Sequence, residues 1–248
     1  ELGALDFLDR AIEAGKIRFA GFSFHDEIDL FRESVDAYDW SFCQIQYNYM
    51  DEEYQAGKEG LAYAAARGLA VVAMEPLRGG TLVQGLPPDA RKAFEQAHPD
   101  RTVVDWALHW LWKDPRVTVV LSGMSHPDHV KENLDLALSL PHKEWTAEEE
   151  KTIQLVCSII RGKKRVDCTA CNYCMPCPEG VNIPRNFALY NDFHMLNDPA
   201  ALLRYQRLLS DTSKASNCIQ CGQCEPLCPQ GIPIMAELAH VHDTLSGE

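Results

Sequence analysis

The sequence predicts an α/β chain in two parts: about four βα units forming a parallel sheet covered by helices, then a helical region rich in cysteine. Two observations carry this reading. Over residues 1–145, apolar segments of strand length alternate with segments of helical periodicity, the pattern of parallel strands joined by crossover helices. Beyond residue 165 the alternation stops, and eight cysteines fall between positions 168 and 228 in two runs.

Taken in order, residues 2–14 set Leu5, Leu8, Ala11 and Ile12 on one helical face and stop at Gly15. A strand is expected over 17–22, a helix over 29–38, a strand over 41–47, a helix over 57–67 and a buried strand over 69–74. A helix over 101–113, a strand over 117–121 and a helix over 127–138 complete the alternation. Thr146 and Glu149 have the spacing of a capping box that opens a helix over 147–160. The basic run 161–165 that follows reads as a solvated linker, with a docking patch for an acidic redox partner or an anionic cofactor as the alternative. The expected domains are therefore 1–145, a connecting helix and linker over 146–165, and a cysteine domain over 166–248.

Composition narrows the function. A net charge of −13 argues against a nucleic-acid partner, because phosphate backbones are met by basic surfaces. No run approaches the roughly 20 apolar residues of a membrane span, and no basic-then-apolar leader opens the chain. Ten cysteines without a secretory signal favour metal or redox chemistry in a reducing, cytoplasmic setting over a disulfide framework. Cys43 and Cys157 stand apart and read as small buried hydrophobes.

The first run is Cys168-Thr-Ala-Cys171-Asn-Tyr-Cys174-Met-Pro-Cys177-Pro178, and the second is Cys218-Ile-Gln-Cys221-Gly-Gln-Cys224-Glu-Pro-Leu-Cys228-Pro229. The second fits the bacterial ferredoxin pattern C-x2-C-x2-C-x3-C-P, and the first is one residue short before its final Cys-Pro. Pro-Glu-Gly-Val-Asn-Ile after one run answers Pro-Gln-Gly-Ile-Pro-Ile after the other, so the two form an internal repeat. Three thiolates two residues apart can wrap one corner of an iron–sulfur cubane from a tight loop, and the fourth, before Pro, reaches the other cluster. Two [4Fe-4S] clusters are expected, one on Cys168, Cys171, Cys174 and Cys228, the second on Cys218, Cys221, Cys224 and Cys177. Pairs of C-x2-C could also build zinc sites, but zinc chemistry does not call for a third cysteine at the same spacing followed by Cys-Pro. Between the runs, Phe187, Leu189, Tyr190, Phe193 and Leu196, then Leu202, Leu203, Tyr205, Leu208 and Leu209 after Asp198-Pro199, have helical spacing, and a further helix follows Pro233. This part resembles alpha-helical ferredoxin domains.

In the first part, Gly-Lys-Ile-Arg-Phe-Ala-Gly-Phe-Ser (15–23), Cys-Gln-Ile-Gln-Tyr-Asn (43–48), Ala-Met-Glu-Pro-Leu-Arg-Gly-Gly (73–80) and Ser-Gly-Met-Ser-His-Pro with Glu-Asn (122–133) resemble aldo-keto reductases. With the cysteine runs, the whole chain resembles the branch of that family with a carboxy-terminal 4Fe-4S domain. The resemblance implies the carboxy-terminal half of a (β/α)8 TIM barrel, with its site at the carboxyl ends of the strands, and an oxidoreductase that transfers electrons through its clusters. It places Ser23 and Gln44 on the nicotinamide carboxamide of NAD(P), Met74 where an aromatic usually stacks on the ring, and Pro76, Leu77, Arg78 and Gly79 along the pyrophosphate. Gly123, Met124 and Ser125 fall at the adenosine phosphate end, and Glu132 and Asn133 match adenine contacts. His129 stands where many members carry an arginine, and Gly123 replaces a common lysine.

The family's Asp-Tyr-Lys-His tetrad comes from the first four strands, and this sequence begins at the helix after the fourth. The resemblance thus implies strands five to eight, with catalysis encoded in an amino-terminal half carried by a longer polypeptide or another chain. Implied partners are a ferredoxin or flavoprotein and a small carbonyl or alcohol substrate. The alternative is a non-catalytic electron relay or binding module on a degenerate barrel. His25, His109, His126 and His129 read as surface or loop histidines, Tyr47 and Tyr49 as pocket walls, and Asp51-Glu52-Glu53 as a solvated helix start.

Overall fold

A computed structural model describes residues 3–140 and 143–247. The chain divides into two compact units, one of residues 1–83 and 94–154, the other of 84–93 and 155–248. The dividing points differ from the expected boundaries because residues 84–93 fall with the cysteine-bearing unit.

The first unit opens with helix α1 (Ala4–Glu13), followed by β1 (Gly21–Phe24), α2 (Ile28–Asp36), β2 (Phe42–Gln46), α3 (Gly57–Ala66) and β3 (Ala70–Met74). A short α4 (Thr81–Gln84), α5 (Pro88–Ala97), α6 (Val103–Trp112), β4 (Val117–Val120) and α7 (Pro127–Ser139) come next. The four strands form one parallel sheet in the order β1-β2-β3-β4, the expected βα alternation. Helix α8 (Ala147–Arg161) opens on the expected capping box: Glu149 N–H donates to Thr146 Oγ1 at 3.1 Å, and Thr146 N–H donates to Glu149 Oε2 at 2.6 Å.

Strand alternation decides what the sheet buries. On β2, Cys43 and Ile45 face a core that includes Phe31, Leu61 and Trp106, while Phe42, Gln44 and Gln46 lie on the opposite, half-buried face. Burial pushes the Cys43 thiol up to about 12, as fits a small hydrophobe and not a reactive thiolate. The first strand pairs two to four residues later than expected. Pairing begins at Gly21 opposite Phe42, so Ile17 and Phe19, which alternate like a strand in sequence, have no ladder, and Phe19 stays exposed. Helices α1 and α7, beside the two edge strands in sequence, bury no residue; Phe7, Leu134 and Leu138 are exposed. Leu2, in the expected first helix, lies outside the described residues.

In the second unit, α9 (Ile183–Leu196) is capped by Asn182, whose side chain accepts from Arg185 N–H at 3.1 Å, and it ends where Asn197 turns left-handed at φ 44°. Asp198 caps α10 (Pro199–Leu203) by accepting from Ala200 N–H, and α11 (Ile234–Leu245) follows Pro233. Phe187, Leu189, Tyr205, Ile234, Leu238 and Val241 form the core, and six of the eight clustered cysteines, all but Cys171 and Cys221, pack partly buried against it. The basic run is not a free linker: Arg161 ends α8, Lys163 Nζ pairs with Asp89 at 3.1 Å, and Asn191 accepts the N–H groups of Arg165 and Val166. Among the described residues no helix is long and apolar enough to cross a membrane.

Candidate cofactor and cluster sites

At the carboxyl ends of β1, β2 and β3 the sheet gathers three of the residues the sequence marks. Ser23 lies opposite Gln44 in the register. Gln44 Nε2 donates to Ser23 Oγ at 3.3 Å and lies 3.4 Å from Met74 Sδ. A carboxamide next to a hydroxyl, on the half-buried face of the sheet, can hold a planar amide by paired hydrogen bonds.

The chain after β3 curls tightly. Glu75, Arg78, Gly79 and Gly80 all have positive φ, at 55°, 50°, 64° and 88°, and left-handed backbone at non-glycine residues persists only where surroundings impose it. Here the imposing group is Asp51. Its Oδ2 accepts from Gln46 Nε2 at 2.8 Å and Asn48 Nδ2 at 2.9 Å, and it pairs with Arg78 Nε at 3.4 Å. Asn48 Nδ2 also reaches Glu75 O at 3.0 Å, and Asn48 Oδ1 accepts from Met50 and Asp51 N–H. Asp51 is therefore a buried anchor, not part of a solvated helix start, and α3 begins only at Gly57. Sequence reasoning missed this role; the Asn-x-x-Asp spacing of an Asx turn (48–51) was the available signal. Tyr47 and Tyr49 are buried, Tyr47 against Trp110 and Tyr49 against Phe94. Burial pushes the Tyr47 phenol up, away from acid chemistry.

The loop after β4 leaves the same end of the sheet, with Leu121 N–H donating to Ala73 O at 2.9 Å. Asn133 Nδ2 donates to Ser122 Oγ at 2.9 Å, and Glu132 accepts from Thr102 Oγ1 at 2.8 Å. Met124 is exposed, and space is open around Gly123. His126 caps α7 by accepting from Asp128 N–H, and His129 packs its ring near His126.

His109 departs from the surface role expected of it. It is buried on α6, with Nδ1 3.0 Å from Arg101 Nη2 and Nε2 3.2 Å from Lys143 O. Arg101 binds Asp105 at 2.7 Å and also Glu149. Burial holds the His109 imidazole below its usual range, which suits a neutral ring accepting from Arg101 at Nδ1. Burial works against the Glu149 carboxylate, yet its bonds from Thr146 and Arg101 hold it below the usual range.

In the second unit the cysteine runs repeat in backbone as well as sequence. Ala170 and Gln220 both have φ 56°, and Asn172 and Gly222 have φ 62° and 74°, at matching places between the cysteines. Such turns direct N–H groups inward; Ala170 N–H lies 3.4 Å from Cys168 Sγ. Two cavities adjoin the runs. One is lined by Cys174, Cys177, Cys218, Cys221 and Cys224. The other is lined by Cys168, Cys171, Cys174 and Cys228. Each run's fourth cysteine, Cys177 or Cys228, thus lines the cavity that carries cysteines of the other run, and Cys174 lines both cavities. Burial raises the Cys174 and Cys224 thiols, neighbouring cysteines add to this, and Glu225 adds further at Cys224. Such a ring of soft donors suits a polynuclear iron–sulfide group that neutralises thiolate charge.

A parallel sheet with its polar side chains at the carboxyl strand ends, joined to a cysteine-ringed unit, defines a partial reductase barrel with a cluster domain. The chain belongs to the aldo/keto reductase family, a family of oxidoreductases: the family model matches residues 2–153. The model of the 4Fe-4S dicluster domain matches residues 167–232. Among solved structures, the chain is similar to the aldo-keto reductase AKR11C1 from Bacillus halodurans. The apo form shares 23% identity at a TM-score of 0.50, covering 61% of this chain and 55% of that one. The holo form shares 21% at 0.49, covering 61% and 54%. An aldo-keto reductase from Klebsiella pneumoniae in complex with NADPH shares 21% at 0.48, covering 61% and 52%. The chain spans about half the length of these structures. No curated protein matches it.

Proposed function

We propose that the chain is the carboxy-terminal part of an aldo-keto-reductase-type oxidoreductase that exchanges electrons through two [4Fe-4S] clusters. The observation that carries this is the crossing of the fourth cysteines: Cys177 lines the cavity of Cys218, Cys221 and Cys224, and Cys228 lines that of Cys168 and Cys171, with Cys174 on both. Cys168, Cys171, Cys174 and Cys228 hold one cluster, and Cys218, Cys221, Cys224 and Cys177 hold the other. Bound there, the clusters supply one-electron transfer. The chain's own part is to present thiolates from two tight loops, to turn backbone N–H groups toward them, and to lock the loops together through Cys177 and Cys228.

In the strand unit, Ser23 and Gln44 hold the carboxamide of a nicotinamide nucleotide with Met74 beside the ring, and Arg78 on its Asp51-anchored loop faces the pyrophosphate. Gly123, Met124, Ser125, His129, Glu132 and Asn133 take the adenosine end. The four strands are the last four of the barrel, and the Asp-Tyr-Lys-His tetrad belongs to a preceding half. The substrate is a small carbonyl or alcohol. Because a hydride carries two electrons and a cluster takes one, the redox partner is an external ferredoxin or flavoprotein.

A relay with a catalytically silent barrel is the second reading. Anaerobic reconstitution with iron and sulfide tests the clusters. Broad visible absorption bleached by dithionite, with about eight irons and eight sulfides per chain for two cubanes, supports them; a colourless zinc protein refutes them. Titrating the holoprotein with NADPH or NADH separates the readings. Bleaching of the visible band or saturable binding supports the reductase, and no binding at millimolar nucleotide supports the relay.

A further inference from the structure

The two runs form a repeat, so residues at matching positions can be compared directly. Two matched pairs near the cavities differ in charge. After the third cysteine, Met175 in the first run answers Glu225 in the second; after the fourth Cys-Pro, Glu179 answers Gln230. One carboxylate therefore lies in each run. Sequence alone would give each cluster one acid. Crossing changes the assignment. Glu179 follows Cys177 and lines the cavity of Cys218, Cys221 and Cys224. Glu225 follows Cys224, and its Oε1 accepts from the N–H of Met235, a residue lining that same cavity, at 3.0 Å. Gln230, the neutral counterpart of Glu179, lines the other cavity.

One acid has the opposite placement. Asp167, before Cys168, answers Asn217 before Cys218. Its side chain is 90% exposed and lies 3.8 Å from Lys164 Nζ, which also donates to Cys168 O at 3.3 Å. Lys164 therefore offsets Asp167, and Lys214, its counterpart before the second run, pairs likewise with Asp211 at 2.7 Å, so neither lysine distinguishes the two sites.

We infer that the two cluster sites are electrically unequal: Glu179 and Glu225 together make the Cys177/Cys218/Cys221/Cys224 site the low-potential one. This rests on the crossed two-cluster reading above. The physics is charge: adding an electron beside a carboxylate is disfavoured, and cluster potential follows local charge, hydrogen bonds to sulfur and solvent exposure. An electron delivered to the low-potential site passes to the other, returning the first cluster from the 1+ to the 2+ state and reducing the second from 2+ to 1+, with no proton required. The unit then has a direction, with electrons entering from a low-potential one-electron donor such as a reduced ferredoxin and resting at the Cys168/Cys171/Cys174/Cys228 site.

The test is an EPR-monitored redox titration of the anaerobically reconstituted full chain. Two separate one-electron steps are expected. Glu179→Gln with Glu225→Gln, which keeps an acceptor for Met235 N–H, raises the lower step by about tenfold in its reduction equilibrium, ~59 mV for a one-electron couple, and leaves the upper step in place. Met175→Glu with Gln230→Glu lowers the upper step by a similar amount, bringing the two together, and this pair serves if the first loses its clusters. A wild-type titration with both clusters at one potential overturns the inference, as does a Glu179→Gln/Glu225→Gln variant in which only the upper step moves. Reconstituted protein holding fewer than two cubanes overturns the underlying two-cluster reading instead, so the two failures are distinct.

Discussion

Replacing Arg101 with Leu removes the cation from a buried polar knot on α6 and the start of α8. Its side chain is 15% exposed, and the Asp105 and Glu149 side chains it binds are 10% and 6% exposed. It also accounts for the hydrogen bond to His109 Nδ1 and stacks over Trp106 at 4.2 Å. The substitution leaves two carboxylates buried without their cation. Breaking a buried ion pair from one side costs about 3–5 kcal/mol, because the stranded charge keeps its desolvation penalty. With a urea slope of about 2 kcal/mol/M, usual for a unit of this size, the midpoint should fall by roughly 2 M. Tryptophan fluorescence reads the right part of the molecule, since Trp40, Trp106, Trp110, Trp112 and Trp145 all lie in the strand unit. Arg101→Lys keeps the charge but not the fork that reaches three partners, so its midpoint should lie between those of the wild type and the leucine variant. A drop of less than about 0.5 M for Arg101→Leu, ~1 kcal/mol by the same slope, would show that water reaches these carboxylates and would refute the argument from burial.

Three further outcomes follow from the same geometry. Asp51→Ala strips partners from Gln46, Asn48 and Arg78; a loss of about 1–3 kcal/mol is expected for the orphaned groups, with faster tryptic cleavage after Arg78 as the readout of a loosened loop. His109 is depressed in the folded state by burial, so the unfolded chain binds its proton first. Its contribution is fully present above the unfolded imidazole value, about 6.5, and is lost as pH falls toward the lower folded value. Urea midpoints read by tryptophan fluorescence should therefore fall between pH 7 and 5, and His109→Gln should flatten that fall; an unchanged slope would remove His109 from the account. Thr146→Ala deletes the capping hydroxyl that Glu149 N–H uses and should cost about 1 kcal/mol in the same assay.

Much of this was legible in sequence because it rests on local pattern. Four strands were readable from apolar runs, and the cap of α8 from Thr146 and Glu149 alone. The eight cysteines that line the two cavities stood out by their spacing alone. What escaped depended on partners distant in sequence. The start of β1 is set by Phe42, twenty-one positions beyond Gly21, and no pattern within 17–24 reveals it. Helices α4 and α5 were not foreseen, because Gly79-Gly80 and Pro87-Pro88 punctuate the stretch and its buried Leu82, Ala90 and Phe94 are widely spaced. Asp51 and His109 looked solvated as residue types; each is buried because an arginine elsewhere in the chain meets it.

The half-buried face of the sheet carries its own argument about what these strands are for. Read across the register, its first rung is Gly21, Phe42 and Ala70, and the Phe42 ring fills the place where a Gly21 side chain would stand, 2.5 Å from its Cβ position. The next rung is Ser23, Gln44 and Val72, and the last is Gln46 beside Met74. The face thus runs from apolar and filled at the amino ends of the strands to amide- and hydroxyl-bearing at the carboxyl ends. A sheet merely exposed to water has no reason to grade its polarity along the strands, and one packed against another sheet would be apolar throughout. Barrel interiors do grade this way, with packed layers below and chemistry at the carboxyl ends. The exposed apolar residues of α1 and α7, Phe7, Leu134 and Leu138 among them, flank the two edge strands in sequence, where further strands and helices would continue a barrel. Gradient and flanks together favour strands shaped for a closed barrel.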